Sequence, residues 1–177
     1  NLMPSRGSWL ELEIDKKGVA YARLDRKRKL PITTLLRALP LEDPTTGFQL
    51  DTSTNEKILA LFDGSVYIQN TLEKDTTTRE EEALIEVFKK QRPGEPPTLD
   101  NARNLLKALF FDPKRYDLTK VGRYKLNQRL GVGVPEDTRV LTTEDILALV
   151  RRLIALPTNL GVPEDSKDYA AGAVQLN

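Results

Sequence analysis

Residues 9–25 carry the pattern that most constrains the fold of this chain. Apolar and polar side chains alternate from Trp9 to Asp15, and the alternation resumes at Val19 after the segment Lys16-Lys17-Gly18. A period of two is that of a β-strand, and a three-residue loop that ends in glycine suits a type I turn with a bulge. The sequence therefore predicts a β-hairpin with these pairs on its apolar face: Leu10 with Leu24, Leu12 with Ala22 and Ile14 with Ala20.

The same register places Trp9, the only tryptophan of the chain, on the polar face of the hairpin and opposite Asp25. A shift of one residue would mix apolar and polar side chains on both faces, so the pairing is well specified. The remaining pairs on the polar face are Glu13 with Tyr21 and Glu11 with Arg23.

Helices are predicted after the hairpin from apolar residues three and four positions apart and from capping residues. Thr78 and Glu81 form a capping-box pattern for a helix to about Lys90, and Leu141 and Ile146 have the spacing of a hydrophobic staple. One short helix is predicted around residues 58–62. The other predicted helices begin at Pro31, Thr78, Thr98 and Thr142 and after Gly122.

These elements predict an α+β fold, a helix-rich single domain with a small antiparallel sheet that includes the N-terminal β-hairpin. The domain is expected to cover residues 1–156, with a long loop at 40–54. Residues 157–177 are polar and small and are expected to form a flexible, truncated tail after Pro157. Both ends look like cuts within a longer protein.

The composition excludes several classes of site. Cysteine and histidine are absent, which removes thiolate chemistry and the usual general base, and makes an independent hydrolase a poor interpretation. The net charge is only +1, so contact with a polyanion requires a local basic patch. No apolar run approaches the roughly 20 residues of a membrane span, and there is no signal-peptide pattern. The absence of cysteine fits a reducing compartment such as the cytoplasm.

The densest basic stretch is residues 23–29, with five basic residues and one acid in seven positions. It can contact phosphates, or it can be a solvated turn. An exposed Trp9 beside this stretch can stack on an unpaired base, with Asp25 accepting from an exocyclic amine, or another part of the protein can cover the indole. Arg92, in a proline-rich link between two helices, is a further candidate for phosphate contact.

Residues 112–118 are predicted to form a turn anchored by Tyr116 and Leu118. Asp112 and Asp117 are a weak candidate for a metal site, and the sequence also predicts that they pair with Arg115 and Arg123.

Several stretches, taken in order, resemble the bacterial RNA polymerase β subunit. The ordered set covers most of residues 3–156 and is far more specific than any one motif. After Pro157 the resemblance fades, and residues 40–54 look like a lineage insertion. The stretches are Met3-Pro-Ser-Arg-Gly-Ser-Trp-Leu-Glu11, residues 23–31, Leu35-Leu-Arg-Ala-Leu39, Asn70-Thr-Leu-Glu-Lys-Asp75, Arg92-Pro-Gly-Glu-Pro-Pro-Thr98, residues 109–118 and Val121-Gly-Arg-Tyr-Lys-Leu-Asn127.

The resemblance implies the lobe, the second β domain, which borders the downstream DNA cleft and faces the non-template strand. It implies that Trp9 stacks on an unpaired base and that Asp25 helps to line the pocket. Arg26, Lys27, Arg28 and Arg92 match basic positions near DNA.

For the chain as a whole, the resemblance implies a non-catalytic part of a nucleotidyltransferase. No cofactor is expected here, since in the family another subunit holds the catalytic Mg²⁺. The implied partners are non-template and downstream duplex DNA, the other polymerase subunits and sigma factor. An alternative is a protein-interaction module that docks transcription factors or neighbouring subunits.

Overall fold

A computed structural model describes residues 2–155 of the chain. Within this range the protein has three strands and seven helices, which confirms the predicted helix-rich α+β domain. The predicted tail at 157–177 lies outside the described residues. In chain order the elements are β1 (Leu10–Ile14), β2 (Ala20–Leu24), β3 (Leu30–Pro31), α1 (Ile32–Ala38), α2 (Asn55–Leu61), α3 (Val66–Lys74), α4 (Glu80–Gln91), α5 (Leu99–Phe110), α6 (Thr119–Leu130) and α7 (Thr143–Ala155).

The hairpin has the predicted register, with Leu10 opposite Leu24 and Ile14 opposite Ala20. Its turn closes as expected, since the Gly18 N–H donates to the Asp15 carbonyl oxygen at 3.0 Å and Gly18 has a φ of +77°. Strand β2 lies between β1 and β3, and both pairings are antiparallel. One face of this small sheet is therefore available for the core.

Helix α1 lies at the centre of the domain, and every residue of it is buried. It packs on β2, β3, α3 and α4, while α4 packs in turn on α5. Arg37 of α1 is buried with Asp75, to which its guanidinium donates at 3.0 Å, and it also donates to Asn55 and Thr77. These bonds connect α1 to the start of α2 and to the loop after α3.

Helix α3 was not predicted from the sequence. Thr71, in its last turn, is fully buried, and its hydroxyl accepts a hydrogen bond from the Ala20 N–H at 2.8 Å. The Asn70 amide donates to the Gly18 carbonyl oxygen at 3.3 Å. Tertiary contacts with the hairpin therefore stabilise α3.

Three details of the helix predictions were wrong. Pro31 is not the first residue of a helix, because it ends β3 and precedes α1, which begins at Ile32. Helix α6 begins at Thr119, not after Gly122, which is the fourth residue of the helix and is buried. The Thr78–Glu81 capping box does not form, because α4 begins one residue later and the Thr78 N–H and hydroxyl both donate to Glu82. By contrast, Thr98 caps α5 as predicted, accepting from the Asn101 N–H at 3.1 Å.

Residues 40–54 lie between α1 and α2, and Glu42 and Gln49 form an isolated antiparallel bridge there. Phe48, in this segment, is 77% exposed. That these residues are a lineage insertion stays a prediction.

Candidate nucleic-acid interface

Trp9 lies directly opposite Asp25 at the open end of the hairpin, as the register predicts. The Trp9 N–H donates to Asp25 Oδ1 at 2.8 Å, and the Asp25 N–H donates to the Trp9 carbonyl oxygen at 2.9 Å. Trp9 is half-buried, whereas Asp25 is exposed. Asp25 Oδ2 accepts no hydrogen bond from the described residues, and Asp25 is exposed, so this oxygen is available as an acceptor.

The backbone reverses sharply just after β2. Asp25 and Arg26 both have left-handed backbone conformations, with φ values of +51° and +60°, and the Lys27 N–H donates to the Leu24 carbonyl oxygen at 3.0 Å. This turn brings the Arg26 guanidinium over the Trp9 ring, 4.8 Å from its centroid. Arg26 also lies 3.8 Å from Glu11, in an ion pair whose arginine side chain is 71% exposed.

The three basic residues that follow Arg26 have different surroundings. Lys27 Nζ donates to the Gln91 carbonyl oxygen at 2.7 Å. Arg28 is exposed and has no hydrogen-bond or ion-pair partner among residues 2–155. Lys29 Nζ lies 4.3 Å from the centroid of the Tyr21 ring. Of these cations, Arg28 is the most available for a phosphate group.

Arg92 follows Gln91 directly, so the Lys27 contact brings its backbone beside the basic turn, although Lys27 and Gln91 are 64 positions apart in the chain. The Arg92 side chain is 49% exposed and forms a 3.8 Å ion pair with Glu95. Ion pairs of this kind are weak, so a phosphate can replace the carboxylate at small cost. The structure therefore brings Trp9, Asp25 and Arg26 into contact. The bond from Lys27 to Gln91 places the backbone of Arg92 next to the turn that carries Lys27 and Arg28.

Three further residues of this surface were not predicted as site residues. Glu11 lies 3.8 Å from Arg26, and the Tyr21 ring lies 4.3 Å from Lys29 Nζ. The strand alternation already placed Glu11 and Tyr21 on the polar face with Trp9. That signal could have identified them.

The turn at 112–118 is anchored as predicted, since Tyr116 and Leu118 are both fully buried. The Arg115 pair with Asp112 is confirmed at 3.9 Å. The pairing predicted for Arg123 is wrong. Its guanidinium is buried and donates to both carboxylate oxygens of Asp145 at 2.8 and 2.9 Å, because α6 packs against α7.

Asp117 is bound by Arg139, which donates to its two oxygens at 2.8 and 2.7 Å. These hydrogen bonds lower the pKa of the Asp117 carboxyl. Asp112 pairs with Arg115 and Asp117 pairs with Arg139, so the two carboxylates do not form a shared pair that is free to bind a metal ion. Among residues 2–155, no three carboxylates are grouped closely enough to hold a metal ion.

The family model for RNA polymerase Rpb2, domain 2, matches residues 1–171 of this chain. The chain belongs to this family. This match also includes residues 157–171, in which no motif resembling the β subunit was identified from the sequence.

Curated relatives of this Rpb2 domain 2 chain carry the name DNA-directed RNA polymerase subunit beta. The protein from Rubrobacter xylanophilus is 53% identical over 165 residues, which are 93% of this chain and 14% of that protein. The protein from Syntrophomonas wolfei is 50% identical over 155 residues, 88% of this chain and 13% of that protein. The protein from Geobacillus kaustophilus is 54% identical over 131 residues, 74% of this chain and 10% of that protein.

These matches confirm the resemblance to the bacterial RNA polymerase β subunit. The Rpb2 domain 2 chain spans only a small part of the length of the curated relatives that it matches, 14% of the Rubrobacter protein. Within the described range, no helix has the length and apolar character needed to cross a bilayer.

Proposed function

We propose that this chain is the lobe of the β subunit of a cytoplasmic DNA-directed RNA polymerase, where it borders the downstream DNA cleft and contacts the non-template strand. The observation that carries the proposal is the pair of Trp9 and Asp25, held together at the hairpin end beside Arg26. An indole, an available carboxylate oxygen and nearby cations are the groups that bind an unpaired nucleotide.

Each group has a distinct part in this binding. Trp9 supplies a flat apolar surface for stacking, and Asp25 Oδ2 can accept from an exocyclic amine. The Arg26 guanidinium lies over the indole but is 71% exposed, and its ion pair with Glu11 is long at 3.8 Å. A base can therefore displace it from the ring at small cost, after which Arg26 is free to bind the adjoining phosphate.

Arg28 and Arg92 extend this surface with cations that contact the phosphate backbone. Such contacts position the strand without reading its sequence, and they weaken as the salt concentration rises. Nucleotidyl transfer belongs to the assembled polymerase, in which another subunit holds the catalytic Mg²⁺. The chain's partners are then DNA, the other polymerase subunits and sigma factor.

The test is Trp9→Ala in the full β subunit of an assembled polymerase, with promoter DNA carrying single abasic sites through the non-template strand of the bubble. We expect the variant to shorten the promoter-complex lifetime by about 5- to 100-fold, as loss of one stacked base implies. An abasic site at the contacted position should remove this difference. Trp9→Phe should retain part of the lifetime.

Phe48→Ala is the matched control, because Phe48 is a 77% exposed aromatic residue in the loop between α1 and α2. It should leave the lifetime unchanged. The same loss for Trp9→Ala at every abasic position, or no loss at any of them, would show that Trp9 does not stack on a non-template base.

A second candidate function is a protein-interaction module that docks transcription factors or neighbouring polymerase subunits. It is favoured by Val121 and Tyr124, which are three residues apart on α6 and 62% and 50% exposed. Photo-crosslinkers at Trp9, Arg26 and Tyr124 in an initiation complex separate the two functions. Transfer from Trp9 and Arg26 to DNA supports the lobe function, whereas transfer from all three positions to protein alone supports the module.

A further inference from the structure

The Lys27 ammonium group is bound by the end of helix α4. Nζ donates to the Gln91 carbonyl oxygen at 2.7 Å in a partly buried contact. Gln91 is the last residue of α4 and is 4% exposed, and carbonyl groups in the last turn of a helix have no partner within that helix. A cation here also opposes the partial negative charge of the helix end. The bond is therefore charge-assisted and stronger than an ordinary surface contact.

This bond lies one residue before Arg92, where the chain leaves α4. The Arg92 N–H still donates to the Phe88 carbonyl oxygen at 2.8 Å, and its φ and ψ of −132° and 63° turn the chain out of the helix. The proline-rich segment 92–98 follows and is stiff. The direction of the Arg92 side chain thus depends on where the α4 end lies relative to the basic turn.

We propose that Lys27 is a positioning residue. By holding the Gln91 carbonyl group, it sets Arg92 at a constant distance from the Trp9–Asp25 pair, so that the indole and the Arg92 guanidinium act on one DNA strand. This inference rests on the proposed function of the surface. It separates Lys27 from Arg28, its exposed neighbour, which has no such bond within the described part of the chain.

The competing role for Lys27 is direct contact with a phosphate group. Only one of its three ammonium hydrogens is used by Gln91, so the two roles must be separated by experiment. A direct contact makes the losses from Lys27 and Arg92 substitutions multiply, because each removes an independent bond. With a positioning role, the double substitution costs little more than either single one, because loss of Lys27 already removes the benefit of Arg92.

The experiment compares Lys27→Met, Arg92→Met and the double variant in the full β subunit of an assembled polymerase, with Arg28→Met as the matched control. Promoter-complex lifetime is measured for each. We expect Lys27→Met to shorten the lifetime about as much as Arg92→Met, and the double variant to lose little more. The losses of lifetime caused by Arg28→Met and by Arg92→Met should multiply when the two substitutions are combined. Lys27→Arg should restore the lifetime, since a guanidinium can donate to the same carbonyl oxygen.

Hydrogen exchange at the amides of Arg92 and Glu95 in the same polymerase, without DNA, gives a readout that does not depend on the DNA contact. Lys27→Met should speed this exchange by on the order of tenfold, as loss of one charge-assisted bond implies, and Arg28→Met should not. Unchanged exchange in Lys27→Met, or multiplying losses for Lys27 and Arg92, would overturn the positioning role. If Arg92→Met and Trp9→Ala both leave the lifetime unchanged, the proposed function fails, and exchange alone then decides whether Lys27 holds the end of α4.

Discussion

The backbone N–H of Trp9 donates to the Asp25 carboxylate, and the backbone N–H of Asp25 donates back to the Trp9 carbonyl oxygen, at 2.8 and 2.9 Å. This reciprocal pair extends the hairpin one step beyond its last strand pair, Leu10 with Leu24. The backbone position of Trp9 is therefore coupled to an exposed carboxylate. One carboxylate therefore binds the Trp9 backbone through Oδ1 and leaves Oδ2 without a hydrogen bond from the described residues.

Asp25→Ala should loosen the surroundings of Trp9. The substitution removes the acceptor for the Trp9 N–H and puts alanine at a left-handed φ of +51°, which aspartate and asparagine tolerate better. Trp9 is the only tryptophan, so its fluorescence reports this site alone. We expect easier quenching by iodide in Asp25→Ala and near-normal quenching in Asp25→Asn. Asp63→Ala is the control, because Asp63 has a similar φ of +54° but lies after α2. Equal quenching in all variants would contradict the coupling.

Gly7→Ala should destabilise the domain. Gly7 has a φ of +127°, and a Cβ there would lie 2.6 Å from Tyr116 Cδ2 and 3.0 Å from the Arg115 carbonyl oxygen. Strain and overpacking together should lower the free energy of unfolding by about 3 kcal/mol, measured by urea denaturation. Gly47→Ala is the control, since its φ of +74° is also positive but nothing lies within 4 Å. It should cost about 1 kcal/mol. Equal losses would mean that the contact with Tyr116 does not matter.

Asp145→Ala should be among the most destabilising single changes. It leaves the buried Arg123 guanidinium without its carboxylate, and only carbonyl and amide oxygens of Thr138, Val140 and Asn127 remain as acceptors. An unpaired buried charge costs about 3–5 kcal/mol of unfolding free energy. Glu86→Ala removes only a half-exposed pair with Lys90 at 3.4 Å and should cost less than about 0.5 kcal/mol. Similar urea midpoints for the two variants would refute this ranking.

Asp117 should make stability depend on pH in acid. Hydrogen bonds from Arg139 lower the pKa of the folded carboxyl below its ordinary value of 3.8. The stabilisation is therefore complete above the unfolded pKa and is lost as the pH falls through the lower folded value. Between about pH 5 and pH 2, Arg139→Met should show a shallower fall in unfolding free energy than the unchanged protein.

Arg115→Met serves as the control for this pH series, because Arg115 forms only a 3.9 Å exposed pair with Asp112. It should follow the curve of the unchanged protein. Parallel curves for Arg139→Met and the unchanged protein would show that Asp117 does not contribute.

The hairpin and the starts of α5 and α7 were predictable because their signals are local. A strand has a side-chain period of two, so the pairing of Leu10 with Leu24 follows from alternation and from the Gly18 turn. Thr98 and Thr142 each accept from an N–H three residues later, which is a short-range bond within a single turn. Helix α3 was not predictable in this way, because the bond from the Ala20 N–H to Thr71 joins residues 51 apart.

The same distinction between local and long-range signals applies to the candidate site. Trp9 opposite Asp25 and the basic character of 26–29 were visible in the sequence. The position of Arg26 over the indole depends on two successive left-handed residues, and aspartate and arginine do not signal this conformation as glycine does. The pairing of Arg123 was predicted wrongly because sequence proximity suggested Asp112 or Asp117, whereas packing of α6 on α7 brings Asp145 to it.

By itself, then, the sequence determined the hairpin register, most of the helices and the ordered motifs of the RNA polymerase β subunit, since each of these rests on residues close together in the chain. Only the tertiary structure decided that Lys27 binds the end of α4 and that Arg92 lies beside the basic turn. A bond between residues 64 apart depends on how α4 packs against α1 beneath the sheet. Packing of this kind is a property of the whole core, and no local pattern of side chains encodes it.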